Sequence, residues 1–364
     1  MVNSNFSTRL QSARQGAGMS TRTVAQRLEK RGFMISHATI ANYERGKTIP
    51  PLPLVAAMAD IYGLPINWFL QDEPVLTNVC YRALKKVGMK EKRQFEASAQ
   101  RWLEAYRRLE TTLGEQLTSE LGDLSTQGNE NGRLLAERLR SRLNLGDRPV
   151  PSTIEVLHLF GVRVITLDAS PGIDGLAAKL DREAVVVLNS SLSNDRVRLN
   201  AAHELGHHLY SDSVCGRGLT DAERESSAFE FASHFLMPIS KLKAAFDGYS
   251  MLRLIEYKKR YGISMAAMIY RAWRENLLSK KTYRMLWREF GKRGWRRTEP
   301  GEVGADRPLR FEQMLETAIR SGVLTWAKAA NVTRIREDEL RDRLARAVNI
   351  WLVNAEEETG NDLK

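Results

Sequence analysis

The order of apolar and polar positions divides the 364-residue chain into a helical front, a short run of strands and a long helical remainder. Near the front, Val24, Ala25 and Leu28 share one helical face behind Ser20, and Ile40 and Tyr43 share another behind Ser36. Each serine stands where a helix N-cap is preferred. Gly32 interrupts the first helix, Gly46 closes the second, and "PLPLVAAMADIYG" follows as a packing helix. Further on, Trp102, Tyr106, Leu109, Leu113, Leu117, Leu121 and Leu124 recur at spacings of three or four. That period predicts a long amphipathic helix, serving as a connector or as a pairing helix between two copies.

The stretch Ser125 to Gly132 has no apolar residue and contains two glycines, which marks a flexible boundary. After it, "RLLAERLRSRLNL" is helical, and "VRVITLD", "GLAAKLD" and "EAVVVLNSS" are β-branched runs parted by turn residues, predicting a small sheet. Helical spacing returns from Asp195 to Met237, stops at Pro238, and resumes over most of the remainder. The expectation is a multidomain, mainly α protein. An all-α helix-turn-helix domain occupies 1–72 and a helical connector or dimerisation segment 73–132. A central α+β domain with the small sheet covers 133–275 and a basic helical region 276–364.

Composition narrows the class. A chain this long exceeds one typical hydrophobic core, and 43% hydrophobic with 27% charged residues is a globular mixture. No apolar run reaches the roughly 18 residues that would cross a bilayer, and "MVNSNFSTRL" lacks the apolar core of a secretion signal. A cytoplasmic protein without a membrane partner is expected. Cys80 and Cys215 cannot build a disulfide framework. The net charge of +11 suits a polyanionic partner. Up to Leu70 there are eight basic residues against three acidic ones.

Two short helices joined by a glycine-containing turn make a helix-turn-helix. The segment "ATIANYERGKTIP", with "LPLVAAMADIYG" after it, resembles the Xre family of phage-repressor-like regulators. The resemblance covers about the first seventy residues, and "EKRGFMI" is a departure between the helices. It implies that the second helix enters the major groove of double-stranded operator DNA, with His37, Ala38, Thr39, Ala41 and Asn42 as base readers. Asn42 suits a bidentate pair with adenine, and Thr21, Arg22, Arg45 and Lys47 suit phosphate contacts that set register. A homodimer would present two such helices about one DNA turn apart.

In "AAHELGHHLY", His203 and His207 lie at i and i+4 and project from one helix face toward a common ion. Glu204 stands beside them as the general base for an attacking water. A third ligand is needed, and Asp212, Asp221, Glu223, Glu225, Glu230 and His234 are the near candidates. On a helix over "AERESSAFEFASHFLMP", Glu225 projects with Ala228, Phe229, Ala232 and Leu236, whereas Glu223, Glu230 and His234 point away. A carboxylate in an apolar stripe needs a cation, so His203, His207 and Glu225 form the expected Zn2+ set. Gly206 would let the two helices approach. His208, Tyr210, Cys215 and His158 read as surface, packing or incidental residues.

"AAHELGHHLY" and "ERESSAFEFASHFLMP" resemble the ImmA/IrrE family of zinc metallopeptidases over about Arg133 to Ala272. The resemblance implies the same three ligands and a protein substrate, often a specific repressor cleaved under stress. Phe229 stands where that family usually has asparagine, and Asn200 where it usually has threonine. The expected function is a DNA-binding transcriptional regulator with a zinc endopeptidase domain. It would cleave a partner repressor or itself, in stress or mobile-element control. The alternative is a non-proteolytic regulator, or an antitoxin-like protein, whose zincin fold senses a ligand or binds a partner. From Arg271 to Pro300, ten basic residues face three acidic ones, with Trp273, Trp287 and Trp295 interleaved. This segment fits either a nucleic-acid brace or a solvated helix pair with a packed aromatic side.

Overall fold

The computed structural model describes residues 4–70, 75–84, 86–118, 131–180, 183–210, 220–248 and 250–348. The chain opens with α1 (Ser4–Gly16), α2 (Thr21–Glu29), α3 (His37–Glu44), α4 (Leu52–Tyr62) and α5 (Ile66–Phe69). Next come β1 (Leu76–Ala83), α6 (Met89–Leu113), α7 (Gly132–Arg142) and α8 (Thr153–Leu159). Three strands follow, β2 (Arg163–Leu167), β3 (Ile173–Leu180) and β4 (Glu183–Asn189). After them lie α9 (Asn194–Leu209), α10 (Asp221–Leu236), α11 (Ile239–Phe246), α12 (Met251–Tyr261) and α13 (Met265–Arg274). Then come α14 (Lys280–Lys292), α15 (Arg310–Arg320) and α16 (Trp326–Thr333), and residues 337–348 are again helical. The fold is mainly helical with one small sheet, as the patterning predicts.

Two compact units share the chain. One contains Met1–Gln116, Leu167–Asn189 and Ala318–Glu337; the other contains Leu117–Thr166, Ser190–Thr317 and Asp338–Lys364. In the first unit, α1 to α5 close over one core that includes Leu10, Leu28, Ile40, Leu54, Met58 and Phe69, all fully buried. Ser20 and Ser36 cap α2 and α3, each accepting a backbone N–H three residues on at 3.1 Å. Gly32 and Gly46 adopt φ of 86° and 68°, a left-handed conformation that an L side chain rarely takes, and so end those helices.

α6 buries Phe95, Ala99, Leu103, Tyr106 and Leu109, a face of period near 3.6. Its main partners are α1 and α16. A Cβ at Gly16 of α1 would fall 2.3 Å from the Ala97 Cβ. Arg9 is fully buried, donates to Glu104 at 2.8 Å, and lies 4.8 Å over the Trp68 ring. α16 packs on the same helix, where Arg108 donates to the Thr333 carbonyl at 2.9 Å. The sequence period continues to Leu124, but the helix stops at Leu113 because Gly114 turns left-handed at φ 73°. Leu117 is therefore not helical, and Leu121 and Leu124 fall outside the described residues. Of the apolar positions that the period picks out, Tyr106 and Leu109 are buried and Trp102 and Leu113 half-buried.

The strand order of the sheet is β1-β3-β4-β2, and its β1–β3 and β3–β4 pairs are antiparallel. β3 pairs β4 from Gly175↔Leu188 to Leu180↔Glu183, and β1 pairs the other side of β3 from Leu76↔Leu180 to Ala83↔Ile173. A Cβ at Gly175 would meet the Val187 carbonyl oxygen at 2.4 Å, so glycine permits the close pairing there. β1 is absent from the sequence expectation. Its alternation is broken by a register shift between Thr77 and Cys80 and by Asn78 at φ 52°.

In the second unit the expected flexible boundary ends earlier than the sequence indicates. Residues 125–130 lie outside the described residues, but Asn131 caps α7 by accepting from the Leu134 N–H at 2.9 Å, and Gly132 is buried in the helix. A Cβ there would meet the Phe231 nitrogen at 2.5 Å, so the glycine serves close α7–α10 packing. The irregular stretch before α15 is a strap around α8 and α9. Asp306 accepts from Ser152 Oγ at 2.7 Å, the Thr153 N–H at 2.6 Å and Arg198 at 2.9 Å. Arg307 donates to the Leu192 carbonyl at 2.8 Å, and Glu299 accepts from the Met265 and Ala266 N–H groups that open α13 at 2.7 and 2.9 Å.

Candidate metal centre and helix-turn-helix surface

α9 places Asp195 in its first turn, where an acid complements the exposed N–H groups, and is buried over nearly its whole length. His203 and His207 share one face, with their Nε2 atoms 3.0 Å apart. α10 crosses that face at close range. A Cβ at Gly206 would lie 2.9 Å from Phe231 Cδ1 and 3.3 Å from Ala228 Cα, so the absent side chain sets the spacing, as the sequence predicts. The approach brings Glu225 Oε2 within 3.2 Å of His203 Nε2 and Oε1 within 3.3 Å of His207 Nε2.

These atoms fit a metal ion. Zinc bonds of about 2.0–2.1 Å in a tetrahedron put neighbouring ligand atoms about 3.3 Å apart. The observed separations of 3.0, 3.2 and 3.3 Å are three such edges. Among the described residues, His203, His207 and Glu225 are the group of metal-ligand type with this geometry. Hydrogen bonds from the two imidazoles hold the Glu225 carboxyl well below the usual carboxylate range.

One expectation is corrected. Glu225 is not embedded in an apolar stripe, since its side chain is 63% exposed against 4% and 10% for the two imidazoles. It lies near the start of α10, whereas the fully buried positions begin at Ala228. Its nearness to the two imidazoles, not desolvation, makes it a candidate ligand. The other candidates are engaged elsewhere. Glu223 forms a capping box with Thr220, Glu230 accepts from the Gly132 N–H at 3.1 Å, and His234 bonds Glu275 and Arg271 at 2.8 Å each. Asp212, Cys215 and the Asp221 side chain lie outside the described residues.

Glu204 is buried on α9 next to His203. His208 and Tyr210 are half-buried, and Asn200 is buried. Phe229 packs edge-on against Tyr270 with ring centroids 5.4 Å apart, so the aromatic at this position belongs to the α10–α13 contact. His158 sits 3.4 Å from Glu155 one turn away on α8, its pKa lowered by burial.

On the helix-turn-helix, His37, Ala38, Arg22, Arg45 and Lys47 are exposed, while Thr21, Thr39, Ala41 and Asn42 are half-buried. The Thr39 hydroxyl is 2.9 Å from Ser36 Oγ, and Arg45 donates to the Ala41 carbonyl at 3.1 Å. Sequence reasoning missed the lock that holds α3 in place. Arg14 of α1 binds both oxygens of Glu44 at 2.6 and 2.8 Å and donates to the Met19 carbonyl at 2.9 Å. The available signal was Glu44 itself, an acid following Tyr43 on the inner side of a short helix.

A helix-turn-helix of this shape and a paired-histidine helix crossed by a glutamate define a DNA-binding module joined to a metallopeptidase-like one. The comparisons agree. Residues 158–272 match the family model of the IrrE N-terminal-like domain, and residues 5–67 match that of a helix-turn-helix domain. No curated protein matches the chain. The protein is thus a helix-turn-helix domain fused to a domain of the ImmA/IrrE type. No helix among the described residues is long and apolar enough to cross a membrane.

Proposed function

We propose that this protein is a transcriptional regulator whose second domain is a zinc-dependent endopeptidase, cutting a partner repressor or a segment of its own chain. The observation that carries the reading is the triangle of His203, His207 and Glu225 ligand atoms at tetrahedral-edge distances, with Glu204 adjoining it. Zinc bound there would supply Lewis acidity toward the scissile carbonyl. Glu204 takes a proton from the attacking water and returns it to the leaving amine. His203 and His207 would hold the ion through ring nitrogens and Glu225 through a carboxylate oxygen. At the other site, α3 lies in the major groove with His37, Ala38, Thr39, Ala41 and Asn42 toward base edges. Thr21, Arg22, Arg45 and Lys47 hold phosphates, and a homodimer engages two half-sites.

Metal analysis and cleavage assays test the first part. His203→Ala and Glu225→Ala lose bound zinc; Glu204→Gln keeps it but stops cleavage of the product of a neighbouring gene or of the chain itself. Undiminished cleavage by Glu204→Gln removes the base assignment. For the second part, Asn42→Ala with Arg45→Ala abolishes binding to the protein's own promoter, and unchanged, salt-sensitive binding means another surface reads the DNA.

A further inference from the structure

α14 has two unlike faces. Its inner side buries Leu286 and Phe290, at 1% and 0% exposure. Around them the aromatics of α13 and α14 interlock, with Trp273 stacked on Tyr283 at 4.9 Å, Tyr283 against Trp287 at 6.1 Å and Phe290 against Trp295 at 5.5 Å. Its outer side carries Lys281, Arg284, Arg288 and Lys292, spaced to fall in one stripe, and all four are exposed. Arg296 and Arg297, also exposed, follow directly. The only acid on the helix, Glu289, lies beside the stripe, 3.2 Å from Lys292 and 4.0 Å from Arg293. Among the described residues, Lys281, Arg284 and Arg288 have no acidic partner.

Holding like charges together on a rigid helix costs folding energy through repulsion, and a bound polyanion relieves it. We propose that this stripe is a second nucleic-acid contact, gripping the phosphate backbone of duplex DNA without reading bases. At about 1.5 Å per residue the stripe is about 16 Å long, and phosphates recur about every 3.4 Å of axis along one strand, so about four lie within reach. Two of its members are arginines, whose planar fork matches phosphate oxygens. A membrane surface fits less well. An interfacial helix inserts its apolar face, and here that face is already buried against α13. The chain's helix-turn-helix domain supplies a reason for duplex DNA to be present.

The test uses the full chain and a duplex of unrelated sequence. Binding is measured from low to physiological salt for the wild type and for Lys281→Gln, Arg284→Gln, Arg288→Gln, Lys292→Gln combined. Each lost phosphate contact flattens the slope of log affinity against log salt by about 0.9, so a flattening of up to about 3.6 is expected. A charge-matched control, Lys243→Gln, Arg253→Gln, Lys259→Gln, Arg260→Gln, should leave the slope near wild type. If the fourfold variant folds poorly, single Arg288→Gln takes its place, with an expected flattening of about 0.9. The flattening must persist in the Asn42→Ala, Arg45→Ala background, which separates this surface from the helix-turn-helix. An unchanged slope, an equal effect in the control, or an equal loss of binding to polyglutamate or phosphatidylserine vesicles overturns the proposal.

Discussion

Replacing Gly206 by alanine tests the link between helix packing and the metal centre. By propensity alone, alanine in a helix interior is about 1 kcal/mol more favourable than glycine. The structure reverses the sign. The new methyl would sit 2.9 Å from Phe231 Cδ1, 3.3 Å from Ala228 Cα and 3.4 Å from the Ala228 carbonyl oxygen. None of these can yield cheaply: two are backbone atoms, and the Phe231 ring is fully buried and stacked on Phe235 at 5.6 Å. Overpacking of this kind costs about 1–3 kcal/mol, leaving a net loss of up to about 2 kcal/mol after the propensity gain. Relief comes by moving α10 away from α9, which carries Glu225 away from both imidazoles and weakens metal binding. Gly291→Ala is the internal control. Its Cβ meets only the Arg296 side chain, at 3.6 Å or more, so that variant should gain up to about 1 kcal/mol. Thermal denaturation reads the stabilities and chelator competition reads the zinc affinity. A Gly206→Ala protein more stable than wild type, with undiminished zinc affinity, would refute the packing argument.

Other outcomes follow from charged groups. Glu44→Ala leaves the half-buried Arg14 without its carboxylate, and breaking such a pair costs about 3–5 kcal/mol. Operator binding should fall with the melting temperature, and a melt within about 1 °C of wild type would show the lock to be idle, since a loss of even 1 kcal/mol moves the melt by several degrees. His234 is nearly inaccessible, its Nδ1 accepting from Arg271 and its Nε2 donating to Glu275. Burial, aided by the Arg271 and Arg133 charges, pushes its pKa down to about 3. The unfolded chain therefore binds this proton below about pH 6.5 while the folded chain does not. The stability is fully present above that pH and declines toward pH 3 by at most about 1.4 kcal/mol per unit. Urea denaturation at pH 7 and pH 5 should show a smaller pH difference for His234→Gln, and an equal difference would exclude the site.

The sequence by itself determined what depends on local spacing. Serine caps and the left-handed glycines Gly32 and Gly46 fixed α2 and α3, because capping and φ preference act within a few residues. An i, i+4 pair on one helix fixed the meeting of His203 and His207. Gly206 could be read as a point of close approach because only an absent side chain admits a second helix there. Tertiary structure decided everything that joins distant segments. β1 became a strand by pairing with β3 across a bulge that hides its alternation. α6 packed against α1 and α16, a partnership between residues far apart in the chain that no period can announce. Glu225 was brought to the two imidazoles by α9–α10 geometry at an exposed edge, and not by the buried stripe its spacing implied. Local patterns record what a residue can do within a turn or two of helix; which partner it meets is set by packing, and packing is a property of the whole chain.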